Sequence, residues 1–486
     1  MVDPLDTAAA HSGSLALEPQ ALDRLERRIE RALRWARRDR RQAIASVTVP
    51  VAAGIDPSAT VLLARRAGDR FFCFEQPARD GHAVCGLGRV ANAGAAGPDR
   101  FTLAAAACRE LAGRTVGERM DTDPDAPAGA GPVFIGGFAF APDGGRAPEW
   151  EGFESIGLDL PELSIVRRGH HARLTVNVAV DGDESARALL ERVQARLSEV
   201  VPATMPLLDP DPIERPRIAG AAPPSHYEEA VRRGVERIRA GELEKVVLAR
   251  EVRVHAPAAI EPAPVLGMLR EAFPECYCYC VGSPSRTLVG ASPELLVRRD
   301  GATAQTVALA GTTRRSADPA VDDHLGQQLL ISAKNADEHS IVARGIEREL
   351  QPVSVWVTAA PDPVLVKVQN VQHLATPIRA QLADAVAALE LAGRLHPTPA
   401  VGGEPHAVAE PLIPALEGFD RGWYAGGVGW TDLAEDGEFC VALRCALLTG
   451  AVARLYAGCG IVGDSVPAEE LAETESKLAA LLPLLT

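Results

Sequence analysis

Gly458-Cys459-Gly460-Ile461-Val462-Gly463 is the stretch on which the fold class turns. It reads literally as GxGxxG, follows a strand-like run at 454–457 and precedes a helix-compatible run. Taken alone, that order is a dinucleotide-binding fingerprint and would make the chain an open parallel α/β fold. The fingerprint also needs a second parallel strand and an acid about 20 residues on. Only 23 of the 486 residues follow Gly463, and the last ten carry no acid. The βαβ unit does not fit. The glycines instead let backbone amides come close to some other anionic ligand.

Just beyond them, Glu470, Glu473 and Lys477 stand at i, i+3 and i+7 and share one helical face. Leu471, Leu478, Leu481 and Leu482 supply the core-facing side. Upstream, the strongest boundary is 202–224, with seven prolines that exclude a helix or a central strand. It divides an N-terminal α+β half, 1–201, from a catalytic half, 225–486. Ser225 with Glu228 reads as a capping box for a helix to about 240, closed by Gly241. A strand is expected over 245–254. In the N-terminal half, 61–64, 71–74 and 174–180 read as strands, 121–132 as a loop and 184–200 as a helix. Residues 22–41 hold nine arginines around Leu22, Leu25, Ile29 and Leu33, an amphipathic helix with a solvated basic face.

The composition is 47% hydrophobic and 24% charged, which excludes disorder of the whole chain. A formal charge of -15 argues against a nucleic-acid or anionic-membrane binder. No apolar run is long enough for a transmembrane helix, and the N-terminus lacks the order of a secretion signal. Cys276, Cys278 and Cys280 alternate as a strand face would, and read as small core residues rather than a metal cluster. Nine cysteines used in this way suit a reducing cytoplasm.

Of the 50 basic residues only Lys245, Lys334, Lys367 and Lys477 are lysines. Arginine keeps its proton in a protein, whereas a desolvated lysine can lose one. A position that needs a base therefore cannot drift to arginine, and these four stand out.

Ten motifs follow in order. They are Glu244-Lys245-Val-Val-Leu-Ala-Arg, Ala291-Ser-Pro-Glu294-Leu, Leu309-Ala-Gly-Thr312-Thr, Lys334-Asn-Ala-Asp-Glu338-His339 and Val371-Gln-His373-Leu. His396-Pro-Thr-Pro-Ala-Val, Asp420-Arg-Gly-Trp-Tyr424-Ala-Gly, Ala442-Leu-Arg444-Cys, Tyr456-Ala-Gly458-Cys-Gly460-Ile-Val and Glu470-Leu-Ala-Glu473-Thr-Glu-Ser-Lys477 complete the set. The set resembles the chorismate-utilising enzymes, which include isochorismate and salicylate synthases and the large components of anthranilate and aminodeoxychorismate synthases. The resemblance covers about 225–482, with Gly136-Gly137-Phe138 as an echo in the N-terminal half.

The resemblance implies an α+β fold in which large antiparallel sheets pack face to face with helices outside, both halves of the chain contributing strands. It implies that Glu338 and Glu473 bind Mg²⁺, whose preference for carboxylate oxygens suits them. Arg444 would clasp a substrate carboxylate in a bidentate fork. Thr312, His373, Tyr424, Lys477 and the backbone at Gly458 and Gly460 match substrate contacts. Lys245 stands where ammonia-using members carry glutamine. Water is a poor nucleophile and needs a base, so lysine points to water attack at ring C2, and no glutamine amidotransferase subunit is implied. Glu294 matches the acid that protonates the departing C4 hydroxyl. Ala310 replaces the lysine that aminodeoxychorismate synthases use for a covalent adduct. The segment after His396 looks like that of isochorismate synthases rather than salicylate synthases. The product could feed menaquinone or a catecholate or salicylate siderophore; the segment from Asp420, with the long N-terminal half, looks more like menaquinone-pathway members. No flavin or nicotinamide is implied.

Overall fold

The structure, a computed structural model, describes residues 13–118, 120, 123, 125–207, 215–369, 371–479 and 481–485. Two large sheets build it, and every pairing in them is antiparallel except one short parallel contact between Ala43–Pro50 and Thr115–Val116. The larger sheet runs from Arg217–Gly220 through Lys245–His255, Val452–Ile461, Cys445–Thr449, Thr287–Ser292 and Tyr277–Gly282. It continues into the N-terminal half at Phe71–Gln76, where Tyr279 pairs with Phe74. The smaller sheet joins the halves as well, with Gly427–Asp432 beside Val133–Phe138.

The main core lies between the sheets. Phe72, Phe74 and Val84 from the larger sheet meet Phe134, Phe138, Trp430 and Phe439 from the smaller. Alternation sends Phe71 and Cys73 to the opposite face, under Pro57–Leu63 and Pro262–Ala272. Cys276, Cys278 and Cys280 lie there too, all buried as core residues. The helix Pro19–Asp39 buries Leu25, Ile29 and Leu33 on the N-terminal strands and leaves its arginines to ion pairs such as Arg28–Glu118 at 2.7 Å.

Some local expectations are corrected. Residues 61–63 belong to the helix Pro57–Leu63 and Ala64 is its C-cap, so 61–64 is not a strand. The Asp56 side chain caps the helix by accepting from Ala59 N, and Pro57 presets its first turn; these outweigh a short apolar run. The helix Pro224–Arg239 starts one residue before Ser225, with Pro223 at its cap and no side-chain capping bond. Proline's fixed φ serves instead. Within 202–224, residues 208–214 lie outside the described residues, and Arg217–Gly220 forms an edge strand. The strand Val452–Ile461 runs through Gly458 and Gly460, and the helix after it is Pro467–Leu478.

Candidate functional site

A cleft of about 980 Å³, its open mouth included, lies where the strand Lys245–His255, the strand Val452–Ile461 and the helices Ala333–Leu350 and Pro467–Leu478 meet. Glu294, Thr312, Glu338, His373, Tyr424, Arg444, Gly458, Gly460, Glu473 and Lys477 all border it. Lys245 lies just behind this wall, fully buried, with Nζ 2.9 Å from Glu338 Oε1. That contact lacks hydrogen-bond alignment, so the ammonium has no hydrogen-bonded partner among the described residues. Glu244, its neighbour, instead faces Arg344 at 4.0 Å.

Gly460 makes this approach possible. A Cβ there would strike Glu338 Oε1 and stand 2.7 Å from Lys245 Cε. Gly458 and Gly460 of the GxGxxG stretch thus serve close packing inside a strand, whereas Gly463 lies beyond it.

Glu294 follows the strand Thr287–Ser292 and is 4% exposed. Burial pushes its carboxyl up to about 8, against the pull of the Lys245 and Lys477 ammonium groups. It is therefore largely protonated at neutral pH.

Arg444 is buried and has no acidic partner among the described residues. Its Nη2 donates to His373 Nε2 at 2.7 Å, while Nη1 has no partner. Burial, then the Arg444 and Lys477 cations, push the His373 imidazole well below its ordinary value. His373 is neutral, its Nε2 accepts from the guanidinium, and so Nδ1–H donates to Thr312 Oγ1 at 3.0 Å. Arg444 and Ala425, both at this wall, hold positive φ of 46° and 59°. Each costs about 1–3 kcal/mol, a strain that clusters where function demands it. Tyr424 stacks on Tyr456 at 5.0 Å, and the buried Tyr456 hydroxyl also lacks a partner. Two buried donors without partners, on residues that border one cleft, suit an anionic, hydroxylated ligand.

Three of the four lysines gather here, each against a glutamate. Lys477 meets Glu473 at 2.8 Å and Lys334 meets Glu470 at 3.1 Å, beside the Lys245–Glu338 contact. Lys367 alone lies elsewhere, on Asp322 and Asp323. Sequence reasoning passed over Lys334, although lysine scarcity marked it as it marked Lys245. Glu470, Arg421 and Tyr456 also border the cleft, within quoted motifs but without an assigned role.

Among the described residues the ligand atoms that gather are those of Cys459, Glu470 and Glu473; Glu338, expected as a ligand, borders the same cleft but stands against Lys245 and is not in that group. Burial works to raise Glu473, but the Lys477 ammonium outweighs it and holds the carboxyl below its ordinary value. Cys459 has its sulfur within 4.8 Å of ligand oxygens of Glu470 and Glu473. Burial pushes its thiol well up, so it stays protonated and leaves oxygen as the donor type.

The model of the chorismate-binding enzymes matches residues 28–486. The isochorismate synthase MenF of Bacillus subtilis is 37% identical over 355 residues, 73% of this chain and 75% of that protein. A salicylate-biosynthesis isochorismate synthase of Pseudomonas aeruginosa is 40% identical over 72% of this chain and 73% of its own. The structure of MenF, the menaquinone-specific isochorismate synthase of Escherichia coli, superposes with a TM-score of 0.75 at 27% identity, covering 94% of this chain and 100% of its own. Anthranilate synthase component I of Streptococcus pneumoniae shares the fold, with a TM-score of 0.60 at 22% identity over 72% of this chain and 80% of its own. A family match spanning nearly the whole sequence, with relatives alike over most of their own length, makes the chain an enzyme of the chorismate-binding family.

Proposed function

We propose that the chain is an isochorismate synthase, converting chorismate to isochorismate with Mg²⁺. The observation that carries this reading is a cleft bordered by an acid kept protonated, Glu294, with a fully buried lysine, Lys245, just behind its wall.

The substrate is a dicarboxylate. Arg444 Nη1 clasps one carboxylate, and the neutral His373 holds the guanidinium in place from behind. Tyr424, Thr312 and the backbone at Gly458 and Gly460 shape the ring site. Glu338 and Glu473 would hold Mg²⁺, which when bound neutralises and orients the other carboxylate. Water attacks C2 as Lys245 Nζ takes its proton. The ring double bonds shift, the C4–O bond breaks, and Glu294 gives its proton to the departing hydroxyl. Lys245 then returns a proton to Glu294 through solvent, so water enters and water leaves with no redox change.

Similarity to the two MenF proteins supports menaquinone biosynthesis as the destination of the product. Water as nucleophile supports a protein that works without an amidotransferase subunit. The cytoplasm is the proposed location; no helix among the described residues is long and apolar enough to cross a membrane. Incubation with chorismate and Mg²⁺, followed by chromatography, tests the reading. Isochorismate appears first and coexists with chorismate. Salicylate and pyruvate in equal amounts at the initial rate would make the enzyme a salicylate synthase instead.

A further inference from the structure

The strand Lys245–His255 is paired along one edge with Val452–Ile461, but its other edge is broken. Gly403–Glu404 covers Lys245 and Val246, and Arg217–Gly220 covers Val252–His255. At the margins of the gap, Val247 N donates to Gly402 O at 2.7 Å and Glu251 O accepts from Ala221 N at 3.0 Å. Between them, no strand meets the Val247 carbonyl or the Ala249 amide. Buried backbone groups of this kind need partners.

Two side chains supply them. Arg421 Nη2 donates to Val247 O at 2.9 Å, and Glu417 Oε1 accepts from Ala249 N at 2.6 Å. The two are bound to each other, Nε to Oε2 at 2.9 Å and Nη2 to Oε1 at 2.5 Å. Glu417 ends the helix His406–Glu417, and Gly418, at a φ of 76°, turns the chain so that Arg421 comes back over it. Donor and acceptor are presented side by side, as a neighbouring strand would present its own N–H and C=O. The remaining Arg421 Nη1 donates to Val401 O at 2.8 Å, and the guanidinium lies 4.3 Å from the Phe140 ring centre. Both charged side chains are at least nine-tenths buried.

We propose that the Glu417–Arg421 pair is a side-chain substitute for a missing strand, and that it positions Lys245 for proton transfer. The proposal rests on the reading of Lys245 as the base. Lys245 and Val247 are two apart and point to the same face. The Lys245 ammonium has no aligned hydrogen bond of its own, so its placement depends on the backbone that carries it. That backbone is pinned two and four residues on by this pair. Glu417 and Arg421 act through Lys245 and are positioning residues. A buried ion pair is a poor source of stability but a specific one of register.

The test uses the full-length protein with chorismate and Mg²⁺. Wild type must first form isochorismate; if it does not, the functional reading falls before any variant is measured. Arg421→Lys keeps the charge but loses the fork, and Glu417→Asp keeps the charge but draws back from Ala249 N. For each, chorismate bound per chain is measured by equilibrium dialysis, alongside KM and kcat. The expected result is one site per chain, KM within about twofold of wild type, and kcat per site down roughly 10- to 100-fold. A merely structural pair would reduce the number of binding sites and leave kcat per site unchanged, and that would overturn the proposal. The swapped variant Glu417→Arg/Arg421→Glu restores charge pairing but sets a carboxylate against the Val247 carbonyl. Continued loss of kcat supports the strand role; recovery to wild-type kcat overturns it. If Arg421→Lys fails to fold, Glu417→Asp decides alone, with faster hydrogen exchange at the Ala249 amide as its companion readout. Unchanged exchange and unchanged kcat there would refute the idea.

Discussion

Glu294→Gln separates activity from stability, because the same burial that makes Glu294 an acid also destabilises the fold. Glutamine keeps the shape of the protonated carboxyl but cannot release a proton, so turnover should fall by roughly the 10²–10⁴-fold typical of losing a general acid. Stability should move the other way. The folded value near 8 lies about 3.5 units above the ordinary 4.5. In the folded state Glu294 keeps its proton where the unfolded chain has lost it. The stability this provides is complete below about pH 4.5, is drawn down as pH rises, and is gone above about pH 8. At roughly 1.4 kcal/mol per unit, the full loss is about 5 kcal/mol, with about 3 kcal/mol of it gone by pH 7. Glutamine does not ionise and escapes that loss. The assay is denaturant unfolding of wild type and Glu294→Gln from pH 5 to pH 9. The variant's advantage should be small at pH 5, grow through pH 8 and then level off. A gap that does not widen with pH, or that favours wild type, would refute the reasoning, as would near-normal turnover by Glu294→Gln. The same titration predicts that kcat declines as pH rises through about 8, where the acid loses its proton.

Arginine at 245 keeps a positive charge but accepts no proton, so Lys245→Arg and Lys245→Ala should lose activity almost equally, by roughly 10²–10⁴-fold. Both should still bind chorismate, and an active Lys245→Arg would remove the base assignment. Glu338→Gln and Glu473→Gln should each lose Mg²⁺ affinity, read by calorimetry with and without chorismate, and full turnover in excess EDTA would sink the metal reading. Gly460→Ala places a methyl against Glu338 and Lys245 and should cut turnover at least tenfold while the protein stays folded by circular dichroism. Wild-type rates in that variant would show that the close approach is dispensable.

Much of the site could be read in the linear order of its residues. Lysine scarcity singled out Lys245 and Lys477, and helical spacing put Glu470, Glu473 and Lys477 on one face. Lys334 carried the same compositional mark, but its role emerges only through its partner Glu470, 136 residues away. Local readings failed where a few capping atoms outweighed composition, at 61–64 and at Ser225.

The motif order and residue types determined the family, the antiparallel α+β fold and the inventory of charged groups, since those depend on side-chain chemistry and local spacing. Tertiary structure decided the rest. Glu294 is an acid near neutrality only because the fold withdraws it from water, and desolvation is a property of what packs around a group. Arg444 is poised because no acid was brought to its Nη1, and Gly460 matters because two distant side chains converge on it. The Glu417–Arg421 pair has meaning only against the gap it fills in a sheet assembled from both ends of the chain. Such terms depend on three-dimensional neighbours, which no spacing along the chain specifies.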